Sequence, residues 1–476
     1  MKIKDYQYLK YRFIVFTMML LLVACDKDKN PEIPDQNNDP TDTQIEIAWV
    51  YFKDKPSKNT FLANPSLMLS PRSLLRRTKQ NISLDEIDVP IEKIYYNQIK
   101  NTIGIKIMAK SKWLNALHIE GTKTNINKLK QLLIVAKVEF ADKSLNLNGR
   151  IATSSKRSHH PENKFGSIST DLNYGNGFTQ INMLGGDVLH QQNFTGNGII
   201  IAVIDGGFPG VDTFNAFKRL RDNNKILGGY NYVTRNNNFY TGVSHGTSVL
   251  STIAAYIDNQ FIGTAPDASF YLFITEDGPT ESPLEESLWV EAAEKADSLG
   301  VDIINTSLGY STFDNPKYDY TYADMNGNKT FISRGAEIGF SRGMILVNAV
   351  GNEGANSWKY ITAPADAKSV LSVGAVDASK VIASFSSFGP TSDGRIKPEV
   401  LAQGSQSFVI NSVGQISPSS GTSFASPIMA GVIACYWQKN STKKNSEIIR
   451  MIKESANLYT NPTLQSQYGY GIPKFN

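Results

Sequence analysis

The larger part of the chain alternates apolar runs with helical patterns. Five runs are largely apolar, which is typical of strands covered on both faces of a parallel sheet. Between two of them, residues 284–299 have apolar side chains at helical spacing, and Gly300 follows as a stop signal. The pattern predicts an α/β fold with a doubly wound, mostly parallel sheet in residues 171–476. The five predicted strands are Ile199–Ile204, Phe270–Ile274, Asp302–Thr306, Met344–Val350 and Val370–Val376.

A shorter pattern of strands and helices precedes this sheet. Residues 45–146 have the size and element content of a small α+β domain. Polar stretches without a periodic pattern lie on either side, and they predict a disordered tether at 25–44 and a linker at 147–170. The predicted elements are strands at Ile47–Phe52, Ile103–Met108 and Val138–Ala141, and helices at Pro71–Thr78 and Thr124–Ala136.

The first 24 residues have the pattern of an export signal. Basic residues precede an apolar run, Phe13–Ala24, that is too short to span a membrane comfortably as a permanent helix. The run ends in Leu22-Val23-Ala24-Cys25, which resembles a bacterial lipobox and implies cleavage before Cys25 and lipidation of its sulfur. The alternative is an uncleaved anchor that ends in an idle cysteine. In both cases we expect an exported chain held by its N-terminus, at the outer membrane or the cell surface.

Composition narrows the class of protein further. The 476 residues are 41% hydrophobic and 10% aromatic, which is enough to build a large core. The net charge of +4 comes from 48 basic and 44 acidic residues spread along the chain, so we expect no nucleic-acid partner. The two cysteines, Cys25 and Cys435, provide neither a disulfide framework nor a cysteine metal site.

Three short motifs carry candidate chemistry. Asp205 ends a predicted strand, and His245 opens an apolar helix within a run of small residues. Ser423 begins a second apolar helix, where free N–H groups and the helix dipole favour developing negative charge. Pro427 is expected near the first turn of that helix, where a missing donor costs little. Each residue also has a structural interpretation: Asp205 as a turn or cap residue, Ser423 as a helix cap, and His245 as a satisfied histidine.

Asn352 follows another predicted strand, between Gly351 and Glu353-Gly354. A left-handed turn would explain an asparagine in this setting. Its amide could instead donate a hydrogen bond to an oxyanion, beside the N–H of Ser423.

The order Asp205, His245, Asn352, Ser423, in the contexts His-Gly-Thr, Gly-Asn-Glu-Gly and Gly-Thr-Ser-x-Ala-Ser-Pro, resembles the subtilisin-like serine peptidases. The resemblance implies a catalytic triad with Asn352 as oxyanion donor. It also implies that Ser307, Leu308 and Gly309 pair with the backbone of the substrate, since Asn305–Gly309 resembles the strand that does so in that family. Residues 45–146 resemble the pro-domain of such peptidases in Bacteroidota, which acts as folding aid and temporary inhibitor and is removed by cleavage in the linker.

We therefore expect a lipid-anchored serine endopeptidase that takes extended peptide or protein substrates and requires no cofactor. Calcium binding is left open, since no ligand spacing stands out. The alternative is a silent surface lipoprotein of the same fold that binds peptides or proteins. A lipase or esterase fits less well, because Ser423 does not lie in Gly-x-Ser-x-Gly and histidine is not last in chain order.

Overall fold

The computed structural model describes residues 43–146, 172–461 and 467–475. The predicted signal peptide, Cys25, nearly all of the tether and the linker at 147–170 lie outside the described residues. From Gln44 onward the chain forms one compact unit. Within the described ranges, no helix has both the length and the apolar character needed to cross a membrane.

The N-terminal part of this unit is built on a four-stranded antiparallel sheet in the order β2-β3-β1-β4. The predicted α+β organisation is present here, and we call residues 45–146 the pro-domain. Its elements are β1 (Ile45–Phe52), α1 (Lys58–Ala63), α2 (Pro71–Gln80), α3 (Lys93–Lys100), β2 (Ile105–Ser111), β3 (Ala116–Thr122), α4 (Lys123–Lys128) and β4 (Val135–Phe140).

The central strand β1 is almost entirely apolar because both of its faces are buried. Ile47, Trp49 and Tyr51 point towards the larger domain and join its core. The intervening residues point the other way, into the core of the pro-domain itself. The side chains of a strand alternate between two faces, so this one strand is part of both hydrophobic cores.

The larger domain, residues 172–475, is built on seven parallel strands in the order β13-β12-β11-β10-β5-β9-β6. This confirms the predicted α/β fold. Its elements are α5 (Phe178–Asn182), α6 (Gly186–Gln191), β5 (Ile200–Asp205), α7 (Lys218–Asp222), β6 (Ile226–Asn231), α8 (His245–Ala254), β7 (Tyr256–Ile257), β8 (Phe261–Ile262), β9 (Ser269–Ile274), α9 (Pro283–Leu299), β10 (Ile303–Thr306), α10 (Phe331–Ser341), β11 (Ile345–Ala349), β12 (Leu371–Val376), β13 (Val400–Gln403), β14 (Ser407–Ile410), β15 (Ile416–Ser419), α11 (Thr422–Lys439) and α12 (Asn445–Glu454).

The strand order changes direction between β5 and β10. After β5 the chain adds β6 and β9 on one side, and it then crosses to the other side to add β10, β11, β12 and β13. In an open parallel sheet such a switch point creates a crevice at the carboxyl ends of the strands. The crevice here lies beyond Asp205, the last residue of β5, and Thr306, the last residue of β10.

Helices cover both faces of the large sheet. Helices α8 and α11 pack on one face, and α9 and α10 on the other. The apolar residues predicted to point inward from α9 are buried, except that Leu299 is only partly buried. Its polar residues Glu285, Glu286, Glu294 and Asp297 are buried as well. For Glu294 the reason is the pro-domain: its carboxylate accepts hydrogen bonds from Ser111 Oγ (2.6 Å) and from Trp113 N (2.9 Å).

The predicted helix at Thr124–Ala136 is wrong in its second half. Helix α4 ends at Lys128, one short helical turn follows at Leu129–Gln131, and β4 begins at Val135. Ile126 and Leu129 are buried as the helical spacing requires, but Leu133 is 86% exposed. The pairing of β4 with β1 decides the outcome, because apolar residues at 132–135 fit a turn and a strand start as well as a helix.

The contact of β1 with the larger domain can be tested by replacing Trp49 with alanine. Trp49 stacks on Phe331 with ring centroids 5.2 Å apart and donates to Ser287 Oγ at 2.9 Å. Loss of a buried tryptophan of this kind should lower the free energy of unfolding of the full chain by about 3–5 kcal/mol. The matched control is Leu133→Ala at an exposed position, which should change it by less than about 0.5 kcal/mol. Equal effects in denaturant unfolding would contradict the packing described.

Candidate active site

Asp205 is fixed at the carboxyl end of β5 and is fully buried. Its Oδ1 accepts hydrogen bonds from Gly206 N and from His245 Nδ1, both at 2.8 Å. Its Oδ2 is also buried and has no hydrogen-bond partner in the described part of the chain. The carboxylate is therefore directed at the imidazole, and a negative charge in this position favours a cation beside it.

His245 is the first residue of α8, and its side chain is 36% exposed. Gly246 allows the close approach to β5, because a Cβ at that position would lie 2.9 Å from Asp205 Cβ and 2.5 Å from Gly207 O. The Asp205 carboxylate raises the pKa of the His245 imidazole above its usual value. Since Nδ1 is engaged by Asp205, Nε2 is the nitrogen left to act as a base.

Ser423 is the second residue of α11, a buried and largely apolar helix. Its N–H has no acceptor among the residues that the structure describes, as expected in the first turn of a helix. Its hydroxyl donates to Ser307 O at 3.2 Å and makes no hydrogen bond to His245. The His245 ring nevertheless lies beside the residue that follows the serine, with its centroid 6.1 Å from that of Phe424.

The expectation for Pro427 is corrected: this proline lies inside α11 rather than near its first turn. A proline has no N–H, so the carbonyl four residues earlier, that of Ser423, loses its helical donor. The hydroxyl of Ser307 replaces that donor at 2.8 Å. Ser307 and Ser423 are thus joined in both directions, hydroxyl to carbonyl, and this fixes the start of α11 against the end of β10.

Asn352 lies in the loop after β11 and is held by the same helix. Its Oδ1 accepts from Thr422 N at 2.9 Å and from Thr422 Oγ1 at 3.0 Å. The left-handed turn that offered a structural explanation for Asn352 is made by Gly351 instead, with φ +106°. Asn352 is therefore not needed for the turn, and its oxygen caps α11.

Two N–H donors converge on the space beside Gly421. The point that a Cβ of residue 421 would occupy lies 3.7 Å from Asn352 Nδ2 and 3.7 Å from Ser423 N. A glycine here leaves that space open. An oxygen placed in it could accept from both donors, which is the arrangement that stabilises a developing oxyanion.

The predicted substrate segment Ser307–Gly309 follows β10 directly. Ser307 is buried, Leu308 is partly buried and Gly309 is exposed. Gly309 cannot carry a side chain without displacement, because its Cβ would lie 2.1 Å from Thr362 Oγ1. Of the three residues, Gly309 is therefore the one whose backbone is exposed.

The other described histidines have no part in this site. His118 and His190 are buried, and burial lowers the pKa of His118 to about 3 and that of His190 to about 4. His118 Nδ1 bonds to Ser287 Oγ at 2.8 Å, so this histidine has a structural role. His190 is enclosed between Tyr174 and Thr264.

A group of three carboxylates lies next to the candidate site. Their oxygens lie within 4.8 Å of one another, close enough to hold a metal ion in common. Burial raises the pKa of Glu276 to about 8, that of Glu281 to about 7 and that of Glu285 to about 9. At neutral pH the protonated form is therefore favoured for Glu276 and Glu285.

Comparison with known proteins agrees with this geometry. A profile described as the subtilase family, peptidase S8, matches residues 196–471. The chain belongs to the subtilase family. A second profile, described as the peptidase S8 propeptide domain of Bacteroidota, matches residues 47–160. The protein is therefore a subtilisin-like serine peptidase with an intramolecular propeptide.

Two subtilisins support the same assignment. Subtilisin NAT of Bacillus subtilis subsp. natto is 31% identical over 296 residues, which cover 61% of this chain and 68% of that protein. Subtilisin E of Bacillus subtilis (strain 168) matches to the same extent. A solved structure, that of the prenylagaramide maturation protease PagA, is 24% identical with a TM-score of 0.48, and the match covers 61% of this chain and 95% of that one.

Two residues that support the site, Asn305 and Ser426, were not predicted to do so. Asn305 Nδ2 donates to Ser307 Oγ at 3.2 Å, and Asn305 Oδ1 accepts from Ser426 Oγ at 2.9 Å. Together they connect β10 to the first turns of α11. The available signal was an asparagine in an otherwise apolar buried strand, since a buried polar side chain needs partners.

The pairing of His245 with Asp205 predicts how the histidines titrate. In the full chain carrying Ser423→Ala, the His245 ring should protonate at a higher pH than a free imidazole, whose pKa is about 6.5. Asp205→Asn should lower that pKa, because the asparagine carries no charge. His118 and His190 are internal controls that should stay neutral between about pH 5 and 8. NMR titration measures all three, and a His245 pKa below the free value would contradict the arrangement.

Proposed function

We propose that Asp205, His245 and Ser423 form the catalytic triad of this peptidase, with Asn352 as a donor to the oxyanion. The single observation that carries the proposal is the hydrogen bond of 2.8 Å between His245 Nδ1 and the buried Asp205, which directs Nε2 away from the aspartate. The serine lies at the start of a helix whose first N–H groups face the same crevice. In this proposal the Ser423 hydroxyl leaves Ser307 O to reach the imidazole, and such contacts are often loose before substrate binds.

The chemistry proceeds in two stages. Ser423 Oγ attacks the peptide carbonyl carbon, and its proton passes to His245 Nε2 while the carbonyl oxygen becomes an oxyanion between Ser423 N and Asn352 Nδ2. The C–N bond then breaks and His245 returns the proton to the leaving amine. A water molecule repeats the attack on the acyl-enzyme with His245 as base. The free acid leaves, and the Ser423 hydroxyl is restored.

The substrate is an extended peptide that lies along Ser307–Gly309. Main-chain hydrogen bonds at this edge recognise any extended backbone, which favours unfolded segments over particular sequences. Such an edge requires exposed backbone, and Gly309 provides it.

We further propose that the protein is an exported lipoprotein anchored through Cys25, at the outer membrane or cell surface. The basic residues before Phe13–Ala24 and the sequence Leu22-Val23-Ala24-Cys25 support this assignment. Labelling with a radioactive fatty acid tests it: label should enter the wild-type protein and be absent from Cys25→Ser. Label retained in that variant would contradict a lipid on Cys25.

Processing of the chain tests the triad. The wild-type protein should separate into a pro-domain and a peptidase by cleavage within residues 147–170, whereas Ser423→Ala should stay intact because it lacks the nucleophile. The control is Ser446→Ala, which leaves the site untouched. Mass spectrometry of protein produced in a host without other proteases reads out both. A Ser423→Ala chain that matures to the same fragment as wild type would contradict self-processing.

The space beside Gly421 tests the oxyanion site. Gly421→Ala should fold normally, because the nearest atoms to the new methyl lie 3.7 Å away and φ is 162°. The methyl would occupy the space between the two donors, so kcat should fall while KM changes little. Loss of one such donor in a subtilisin costs about 100- to 1,000-fold in turnover, and a fall on this scale is expected here. An unchanged kcat with peptide substrates would show that the oxyanion lies elsewhere.

A further inference from the structure

Two glycines border the space in which the residue before the proposed cut must lie. Gly309 is the exposed last residue of the substrate segment, and Gly351 directly precedes Asn352, the proposed oxyanion donor. With the attacked carbonyl oxygen between Asn352 Nδ2 and Ser423 N, the Cβ of the residue that carries it is only two bonds, about 2.5 Å, from the carbonyl carbon. The side chain of that residue therefore begins beside these two glycines.

One side chain, that of Thr362, fills the gap between the two glycines. A Cβ on Gly309 would lie 2.1 Å from Thr362 Oγ1, and a Cβ on Gly351 would lie 3.1 Å from the same oxygen and 3.3 Å from Thr362 Cγ2. Both glycines thus face the same threonine. This threonine is 2% exposed, so the gap is closed rather than open to solvent.

Backbone hydrogen bonds hold Thr362 in this gap. Its N–H donates to Val350 O at 3.2 Å, and the next residue, Ala363, exchanges two hydrogen bonds with Tyr310, at 2.8 and 3.1 Å. Val350 and Tyr310 are the chain neighbours of the two glycines. The threonine is thus tied to both walls of the gap, and close packing leaves it little room to yield to a larger side chain.

The effect of Thr362 on its surroundings is one of size. Its Oγ1 is buried and has no hydrogen-bond partner among the residues that the structure describes. The oxygen therefore orients no neighbour, and what it contributes to the gap is its volume. Valine has nearly the same shape and avoids the cost of a buried hydroxyl without a partner, which makes Thr362→Val a control for shape alone.

We propose that Thr362 limits the residue before the cut bond to glycine, alanine or serine. A longer side chain would have to displace the threonine from a gap that is already filled. One surplus methylene in a fitted pocket costs about 10- to 200-fold in kcat/KM, and leucine or phenylalanine carries several surplus carbons. This preference presupposes the proposed catalysis and defines its substrate class, which is extended peptides with a small residue directly before the cut. Thr362 is a specificity-determining residue and takes no part in the reaction itself.

The test uses the wild-type protein and peptides that are identical except for the residue before the cut, which is glycine, alanine, serine, leucine or phenylalanine. kcat/KM should be at least about 100-fold higher for alanine than for phenylalanine. Thr362→Gly opens the gap, so it should raise kcat/KM for leucine and phenylalanine at least about 10-fold and change the value for alanine much less. Mass spectrometry of the products identifies the bond that is cut.

Two variants serve as controls. Thr362→Val keeps the shape of the side chain and should keep the preference of the wild type. Thr391→Ala shortens another buried threonine, whose Oγ1 accepts from Arg395 N at 2.9 Å, and it should also leave the preference unchanged. If Thr362→Gly does not fold, Thr362→Ala decides, because it removes the same Oγ1 and Cγ2. Equal kcat/KM for alanine and phenylalanine in the wild type, or an unchanged preference in the variant that opens the gap, would overturn the proposal.

Failure of this preference and failure of the proposed catalysis give different results. A wrong triad would leave every peptide uncut, in the wild type and in all variants of Thr362. The dissociation constants of the same peptides for the wild-type protein would then decide the preference. The alanine peptide should bind at least about 10-fold more tightly than the phenylalanine peptide, and equal affinities would contradict the role of Thr362.

Discussion

The site depends on how the first turn of α11 is held. A buried apolar helix that begins at the carboxyl end of a parallel sheet leaves N–H groups without helical partners, and here those groups face the crevice at the switch point. Asn352 caps the helix through Thr422, and Ser307 bonds to both the carbonyl and the hydroxyl of Ser423. Pro427 makes the second contact necessary, since it removes the donor for the Ser423 carbonyl. This arrangement sets the position of Ser423. It also leaves the N–H of Ser423 without an acceptor among the described residues and the space beside Gly421 open.

Much of the fold, and the positions of several candidate site residues, could be predicted from the sequence. Continuous apolar runs gave the buried parallel strands, and chemically capable residues at the ends of such runs gave Asp205 and Asn352. The resemblance to subtilisin-like peptidases placed Ser307–Gly309 beside them. The strand predictions are confirmed because strand periodicity is a local property of the chain. The roles of Asp205, Asn352 and Ser307–Gly309 stay predictions. The predicted boundary between α4 and β4 is wrong because the pairing of β4 with β1 decides it. The residues of β1 lie more than 80 positions earlier in the sequence.

The polar residues of α9 show more clearly which features depend on contacts distant in sequence. Glu294 and Asp297 have the spacing of a solvated helix face, yet both are buried beneath the pro-domain. Nothing local in α9 indicates this, because the partners, Ser111, Trp113, Arg76 and Arg77, come from another domain. The same holds for Trp49, whose strand is apolar on both faces since each face enters a different core. The pro-domain therefore completes the fold of the peptidase domain as well as preceding it in the chain.

The two ends of the large sheet hold different groups of residues. The carboxyl ends of the strands hold the proposed reacting groups, and the amino ends hold α2. Between them lie short parallel strands such as β10, which spans about 13 Å over four residues. The proposed catalysis requires that His245 activates Ser423. Labelling of the protein with a fluorophosphonate, followed by mass spectrometry to locate the adduct, tests the activation of Ser423 most directly. We expect one adduct, on Ser423, and none in His245→Ala. No adduct on Ser423, or equal labelling in His245→Ala, would contradict this activation.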